Sequence, residues 1–254
     1  MTVEVEDREN GVRIIRLAGA SANKSFSRES MPIIARAIDD GLSKQSVRAL
    51  IITGEGKFFS AGADIHAFQE AIDADDAPQL IRDLTSILHP LLVRMRQSAT
   101  IVVGAINGAA AGGGLGLALA CDVRIGSPKA KLAASYASMG LSPDGGTTWL
   151  LPRLVGEKRS RTFFFENQIW SAEQALNAGA LDEVVEADEL INRSIEVATN
   201  WSQWSNHFRE ATKHLLHVQS QNDFETHLKH EQTLIEAAGT TPEFKEGVSK
   251  FLGN

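Results

Sequence analysis

Asn107-Gly108-Ala109-Ala110-Ala111-Gly112-Gly113-Gly114-Leu115-Gly116 is the stretch on which the reading of this chain turns. It follows the β-branched run Ile101-Val102-Val103 and precedes Leu117-Ala118-Leu119-Ala120. That order predicts a strand, a glycine-dense turn and a buried helix. Glycine has no Cβ, so φ can be positive and a ligand can come close to the main chain. A helix that starts at such a turn aims unpaired N–H groups and the positive end of its dipole at the occupant. The implied occupant is an anion, or an oxygen that becomes one during reaction.

Three other readings compete. Residues 101–121 carry no charge and are long enough to span a bilayer, and Gly104, Gly108, Gly112 and Gly116 fall four apart, as in a membrane dimer motif. Yet six glycines and Asn107 within these 21 residues make a poor membrane helix, and no other segment resembles one. A dinucleotide fingerprint fails because Leu119 stands where Gly114 and Gly116 require a third Gly or Ala. A purely structural tight turn remains as the bland reading.

The 254 residues are 43% hydrophobic and 22% charged, a globular composition long enough for one large domain or one domain with a small appendage. A net charge of −7 argues against general nucleic-acid binding and against an anionic membrane surface. Cys121 is the single cysteine; in an apolar helix it reads as a buried structural thiol, and it fits a reducing compartment. Met1 to Arg8 is charged and lacks an apolar signal segment, so a cytoplasmic protein off the membrane is expected.

Along the chain, Val3, Val5 and the run Val12 to Leu17 predict two strands joined at Asn10-Gly11. Residues 29–43 put Met31, Ile34, Ala35, Ile38 and Leu42 on one helical face. Ala49 to Thr53 reads as a buried strand, followed by a loop with Phe58, Phe59 and Gly62. Asp76 with Pro78 behind it predicts the start of a helix that reaches about residue 97. Lys131 to Ser135 reads as a strand, Asp144-Gly145-Gly146 as a helix start, and Ser171 as the cap of Ala172 to Ala178. Strands alternate with helices to about residue 150, and from 189 onward the pattern is helical. An α/β core follows, with a helical tail that covers it or packs on another subunit.

Two glycine turns could then face one pocket, each lending a backbone N–H to a two-donor oxyanion hole. Phe59-Ser60-Ala61-Gly62-Ala63-Asp64-Ile65, with Ala105-Ile106-Asn107-Gly108, Gly112-Gly113-Gly114 and Ala120-Cys121-Asp122, resembles the crotonase (enoyl-CoA hydratase/isomerase) superfamily. Gly145-Gly146-Thr147, Leu151-Pro152-Arg153-Leu154-Val155-Gly156 and Phe244-Lys245-Glu246-Gly247-Val248 are similar to that family too, so the resemblance covers nearly the whole chain. It implies an α/β fold, a crotonase-type spiral of ββα units over 1–195 that holds the acyl-CoA site, and a C-terminal helical trimerisation region over 196–254. It implies an acyl-CoA thioester substrate, with coenzyme A present only as part of that substrate, no other cofactor and no metal. The assembly it implies is a homotrimer or a dimer of trimers.

Carried onto the matching positions, Ala63 and Gly113 would give their N–H groups to the thioester oxygen. Ala61, Ala63, Asp64, Ile65, His66, Gly112, Gly113 and Tyr136 would line the substrate and CoA channel, with His89 and Pro143 as further wall. Hydratases of the family hold a water between two glutamates. Here the places of those glutamates are taken by Gly116 and Tyr136. Hydration needs a proton donor and a base around one water, so the resemblance points away from it.

Asp144, in Gly140-Leu141-Ser142-Pro143-Asp144-Gly145-Gly146-Thr147, resembles instead the branch with ring-epoxide and enoyl-CoA isomerases, which use an aspartate at this turn. One carboxylate suffices for a double-bond shift, because it takes a proton from one carbon and returns it to another two bonds away. The dienolate in between places its charge on the thioester oxygen, where each backbone donor is worth about 3–4 kcal/mol. The bland reading of Asp144 is a helix N-cap. Tyr136, Leu141 and Trp149 are expected walls around it, and Phe68, Leu84 and Leu88 hint at an apolar acyl group.

The halogenated-benzoyl-CoA dehalogenases of the superfamily use an aspartate at the Asp144 place as nucleophile. They carry a histidine like His89 and a tryptophan where Tyr136 stands. The pairs His214/His217 and His227/His230 have a spacing that could seat a metal, but no third ligand is evident. Gly54-Glu55-Gly56-Lys57 is not a P-loop, since Ile51 and Phe58 occupy two of its required positions. The expectation is an enoyl-CoA isomerase with Asp144 as base. A hydratase, a dehalogenase-like hydrolase and a non-enzymatic acyl-CoA binding protein are the alternatives.

Overall fold

The computed structural model describes residues 3–19 and 26–253. The hairpin expected at Asn10-Gly11 is present. β1 (Val3–Asp7) and β2 (Val12–Leu17) run antiparallel with Val3 opposite Leu17, and Gly11 turns between them at φ +78°. The later strands come in close pairs: β3 (Ala49–Gly54) with β4 (Phe58–Ser60), β5 (Ile101–Ile106) with β6 (Ala109–Ala111), and β7 (Val123–Gly126) with β8 (Lys131–Ala133). The first member of each pair enters a six-stranded sheet ordered β1-β2-β3-β5-β7-β10, where β10 is Glu183–Val184. The second enters a four-stranded sheet ordered β4-β6-β8-β9, where β9 is Ile169–Ser171. The chain thus alternates between two sheets and builds a spiral of strand pairs and helices. Every residue of β3 and β5 is buried. A parallel strand covered on both faces has no polar side, which is why these two read as unbroken apolar runs.

One side chain of the opening stretch ties successive pairs together. Asn107 accepts from the Gly54 N–H at 2.8 Å and donates to the Phe58 carbonyl at 3.0 Å, while its own carbonyl accepts from Ser127 Oγ at 3.0 Å. A Cβ at Gly108 would overlap the Lys57 carbonyl, so only glycine lets the two turns stack.

The helices are α1 (Ser30–Ser43), α2 (Ile65–Asp73), α3 (Ala77–Gln97), α4 (Gly113–Ala120), α5 (Thr147–Val155), α6 (Glu157–Phe165) and α7 (Ala172–Ala178). They continue as α8 (Leu190–Ser202), α9 (Asn206–Val218), α10 (Phe224–Ala238) and α11 (Pro242–Phe251). α3 buries Leu80, Leu84, Leu88, Leu91, Leu92 and Met95 on one stripe, the period of a surface helix. α4 is buried at every residue, so it is apolar all round. The boundary expected at 195/196 falls within α8. No helix among the described residues is long and apolar enough to cross a membrane; residues 101–121 are two strands and a short helix.

Three local expectations need correction. The strand from Lys131 ends at Ala133, because Ser135 lies at φ +58°, outside the extended region. Asp76 stands at the cap of α3, but its carboxylate makes no cap bond and instead takes the Arg28 guanidinium at 2.7 Å. Asp144-Gly145-Gly146 precedes α5, which begins at Thr147 with Gly146 at its cap; the Asp144 carboxylate caps nothing. Ser171 does cap α7, through a reciprocal box with Gln174.

α9 is held to the core by a buried charge. Lys213 Nζ donates to the carbonyls of Met95 and Thr100, both at 2.9 Å, and to Asp122 Oδ2 at 2.8 Å. Beyond it, Phe208, Leu216, Leu228, Ile235, Phe244 and Phe251 are exposed on α9 to α11.

Candidate active site

The triple glycine serves close approach. Gly112 sits at φ +52°, ψ −126°, a conformation that disfavours any side chain, and α4 starts on the next residue. A Cβ on Gly113 would overlap the Phe26 ring, and one on Gly114 would lie 2.5 Å from the Ser60 carbonyl oxygen. One on Gly116 would overlap the Gly145 carbonyl oxygen. Three other segments therefore converge on the start of α4.

The first of them is the turn at 59–65. Gly62 lies at φ +78°, and a Cβ there would come within 2.6 Å of the Ala111 oxygen and 3.4 Å of the Gly113 nitrogen. Phe26 and Ala63 form a parallel bridge, in which the Phe26 N–H donates to the Gly62 carbonyl and the Asp64 N–H to the Phe26 carbonyl, both at 3.3 Å. Successive amides of an extended segment alternate in direction. With Gly62 and Asp64 committed to Phe26, the Ala63 N–H points the other way. Among the described residues, no protein acceptor takes the N–H of Ala63 or of Gly113.

Both residues line one cavity of about 220 Å³. Of the positions expected in the channel, Ala61, Ala63, Ile65, Gly112, Gly113 and Tyr136 line it, and Asp144 completes its wall. Asp64 and His66 do not. The Asp64 carboxylate accepts from the His66 N–H at 3.0 Å and caps α2, and the His66 side chain is exposed. Neither residue expected as further wall is part of it: Pro143 lies between two lining residues, Ser142 and Asp144, and His89 stands behind the wall, against Asp144 and Gly145. Phe68, Leu84, Leu88 and Leu141 form apolar wall as the sequence suggests. Trp149 does not: the Arg153 guanidinium sits 3.4 Å over its ring and His217 packs 5.2 Å away, outside the cavity.

Asp144 is presented by two successive glycines in left-handed conformation, Gly145 at φ +58° and Gly146 at φ +69°. Its main-chain carbonyl is held from three sides, by the Thr147 N–H at 3.2 Å, Thr147 Oγ1 at 2.9 Å and Tyr136 Oη at 3.2 Å. The backbone is thereby fixed while the carboxylate remains available to the cavity. Burial, and then the charge of Asp144, push the Tyr136 phenol above its ordinary value, so it stays a protonated donor. His89, on α3, brings Nε2 to 3.7 Å from Asp144 Oδ2 and accepts from the Gly145 N–H at 3.4 Å.

Sequence reasoning missed Phe26, which backs Gly113 and aligns Ala63, and also Ile81, Thr85, Ser135 and Met139. Ile81 and Thr85 were readable, since they flank Leu84 and Leu88 on one face of α3. Phe26 had no local signal.

The enoyl-CoA hydratase/isomerase family profile matches residues 7–254. The chain belongs to this family. It is 30% identical to 1,2-epoxyphenylacetyl-CoA isomerase of Escherichia coli over 96% of this chain and 93% of that one. It is 27% identical to 4-chlorobenzoyl coenzyme A dehalogenase-2 of an Arthrobacter species, over 96% and 88%. Among solved structures, an enoyl-CoA hydratase from Bacillus anthracis superposes with a TM-score of 0.90 at 26% identity, covering 100% of this chain and 96% of that one. The chain is therefore a crotonase-type acyl-CoA enzyme, with the α/β spiral and C-terminal helices that the resemblance implied.

Proposed function

We propose that this enzyme shifts a double bond in an enoyl-CoA, with Asp144 as the proton carrier and the N–H groups of Ala63 and Gly113 as the oxyanion hole. One observation carries the reading. Asp144 is the single carboxylate on the cavity wall among the described residues, and the Gly145 carbonyl fills the space a glutamate at 116 would need. A site with one carboxylate supports proton transfer between carbons better than the paired acid and base of hydration.

In the reaction so read, the thioester oxygen of a 3-enoyl-CoA accepts from the two amides. The Asp144 carboxylate takes a proton from C2, and the electron pair spreads through the dienolate onto the thioester oxygen. The carboxylic acid then returns the proton to C4, leaving the 2-enoyl-CoA. Tyr136 and Thr147 hold the main chain of Asp144 so that one oxygen can reach both carbons. Coenzyme A belongs to the substrate, and no further cofactor is needed for this step. The exposed apolar residues of α9 to α11 support assembly into a trimer or a dimer of trimers, and a cytoplasmic site of action is consistent with the reading.

The test is Asp144→Ala. Its rate of 3-enoyl-CoA isomerisation, followed by the conjugated absorbance of the product, should fall to background while binding of a saturated thioester survives. An unchanged rate refutes the assignment. The contact of His89 with Asp144 favours a second reading, in which Asp144 attacks a halogenated aryl thioester. Halide release from 4-chlorobenzoyl-CoA would support it over the first.

A further inference from the structure

Resting on the reading of the cavity as an acyl-CoA site, we infer that the acyl group it takes is neutral, apolar and compact, and that an acyl group ending in a carboxylate is refused. The deep wall is set by Phe26, Leu84 and Leu88, all buried, and continued by Phe68. None of them can pair with a charge. The Thr85 hydroxyl, which also faces this wall, donates back to the Ile81 carbonyl at 2.8 Å. Among the described residues no lysine, arginine or histidine lines the cavity, and its one fixed charge is the carboxylate of Asp144. A second carboxylate placed here would leave water, meet no cation and face a like charge. Each of those effects opposes binding.

The rim points the same way. Ile65, Ile81, Met139 and Leu141 line the cavity yet are exposed, so an apolar guest would cover side chains that water now wets. Size sets the other limit. An apolar cavity of about 150 Å³ holds one benzene molecule. At about 220 Å³, this one suits a single ring with a short linker, or a short branched chain.

The test uses two thioesters of matched shape, 5-methylhexanoyl-CoA and glutaryl-CoA, which differ in a terminal isopropyl against a terminal carboxylate. Phenylacetyl-CoA serves as the ring probe. Calorimetric titration of the intact protein should show phenylacetyl-CoA and 5-methylhexanoyl-CoA binding at least tenfold more tightly than glutaryl-CoA. Thr85→Lys adds a cation to the wall and should narrow that gap, provided its melting temperature shows a folded protein. Equal affinity for the matched pair overturns the inference while leaving an acyl-CoA site intact. A gap that persists unchanged in folded Thr85→Lys overturns it as well, since the acyl end then lies elsewhere. Failure of every thioester to bind overturns the acyl-CoA reading itself.

Discussion

His89 Nε2 stands 3.7 Å from Asp144 Oδ2 and 3.4 Å from the Gly145 amide, so a single ring nitrogen faces both an acceptor and a donor. It cannot serve both at once. A neutral imidazole with its lone pair on Nε2 accepts from Gly145 and leaves the Asp144 carboxylate without a cation. An imidazolium instead has a proton on Nε2 and can pair with the Asp144 carboxylate.

His89 is therefore expected to tune the proton transfer proposed for Asp144. His89→Gln keeps a polar group that can meet the Gly145 amide but removes the ring that can become a cation beside the carboxylate. It should change kcat for 3-enoyl-CoA isomerisation while leaving the melting temperature and the affinity for a saturated thioester nearly unchanged. Equal kcat for the two proteins would show that His89 only packs.

Gly116 gives a steric prediction. The Gly145 carbonyl occupies the position of a side chain there, and Gly145 directly follows Asp144 in the chain. Gly116→Ala should cost about 1–3 kcal/mol of stability, as overpacking does in a tight interior. Urea unfolding measures that cost. Gly116→Glu, which places a carboxylate where the resemblance puts one in the hydratases, should yield no hydration of a trans-2-enoyl-CoA and should lower the isomerisation proposed above. A gain of hydration would mean the site can open far more than the packing allows.

The parts of this site legible in the sequence are those encoded locally. The Ile101–Ile106 run, the triple glycine and the apolar 115–120 segment each declare themselves within a few residues, so strand, turn and helix fall where expected. The face of α3 is periodic, and it delivers Leu84 and Leu88 to the cavity. Phe26 was invisible because its role is a bridge to Ala63 and a contact on Gly113, both distant in sequence. Asp76 and Trp149 were misplaced for a related reason. A carboxylate at a helix start and an aromatic near a pocket each have a local use, but Arg28 and Arg153 compete for them through folds of the chain that no window reveals.

Cys121 makes a chemical prediction. It is wholly buried, its Sγ donates to the Leu117 carbonyl at 3.4 Å, and burial pushes its thiol up to about 12. The thiolate is the reactive form, so iodoacetamide at pH 8 should leave the native enzyme unlabelled and active. Labelling should appear only across the urea transition, in step with loss of structure. Rapid alkylation of the native protein would show that the α4 end opens locally.

The last prediction concerns the clamp between α9 and the core. Lys213 and Asp122 are 9% and 10% exposed at their side chains, and they meet at 2.8 Å. Asp122 also accepts from the Val102 N–H at 2.8 Å, so it is anchored whether or not the lysine is present. Lys213→Met leaves that carboxylate buried without its close cation, since Arg96 approaches no nearer than 3.9 Å. A loss of about 3–5 kcal/mol is expected, most of it the cost of the stranded charge. Lys213→Met with Asp122→Asn removes both charges and should recover a large part, with a coupling readable from a double-mutant cycle in urea. Burial, opposed by Asp122, lowers the Lys213 pKa in the folded state. The unfolded chain then holds more protons between the two values, and this group makes stability rise with pH just below the ordinary lysine range. Lys213→Met should flatten that rise; an unchanged slope would mean the lysine titrates alike folded and unfolded.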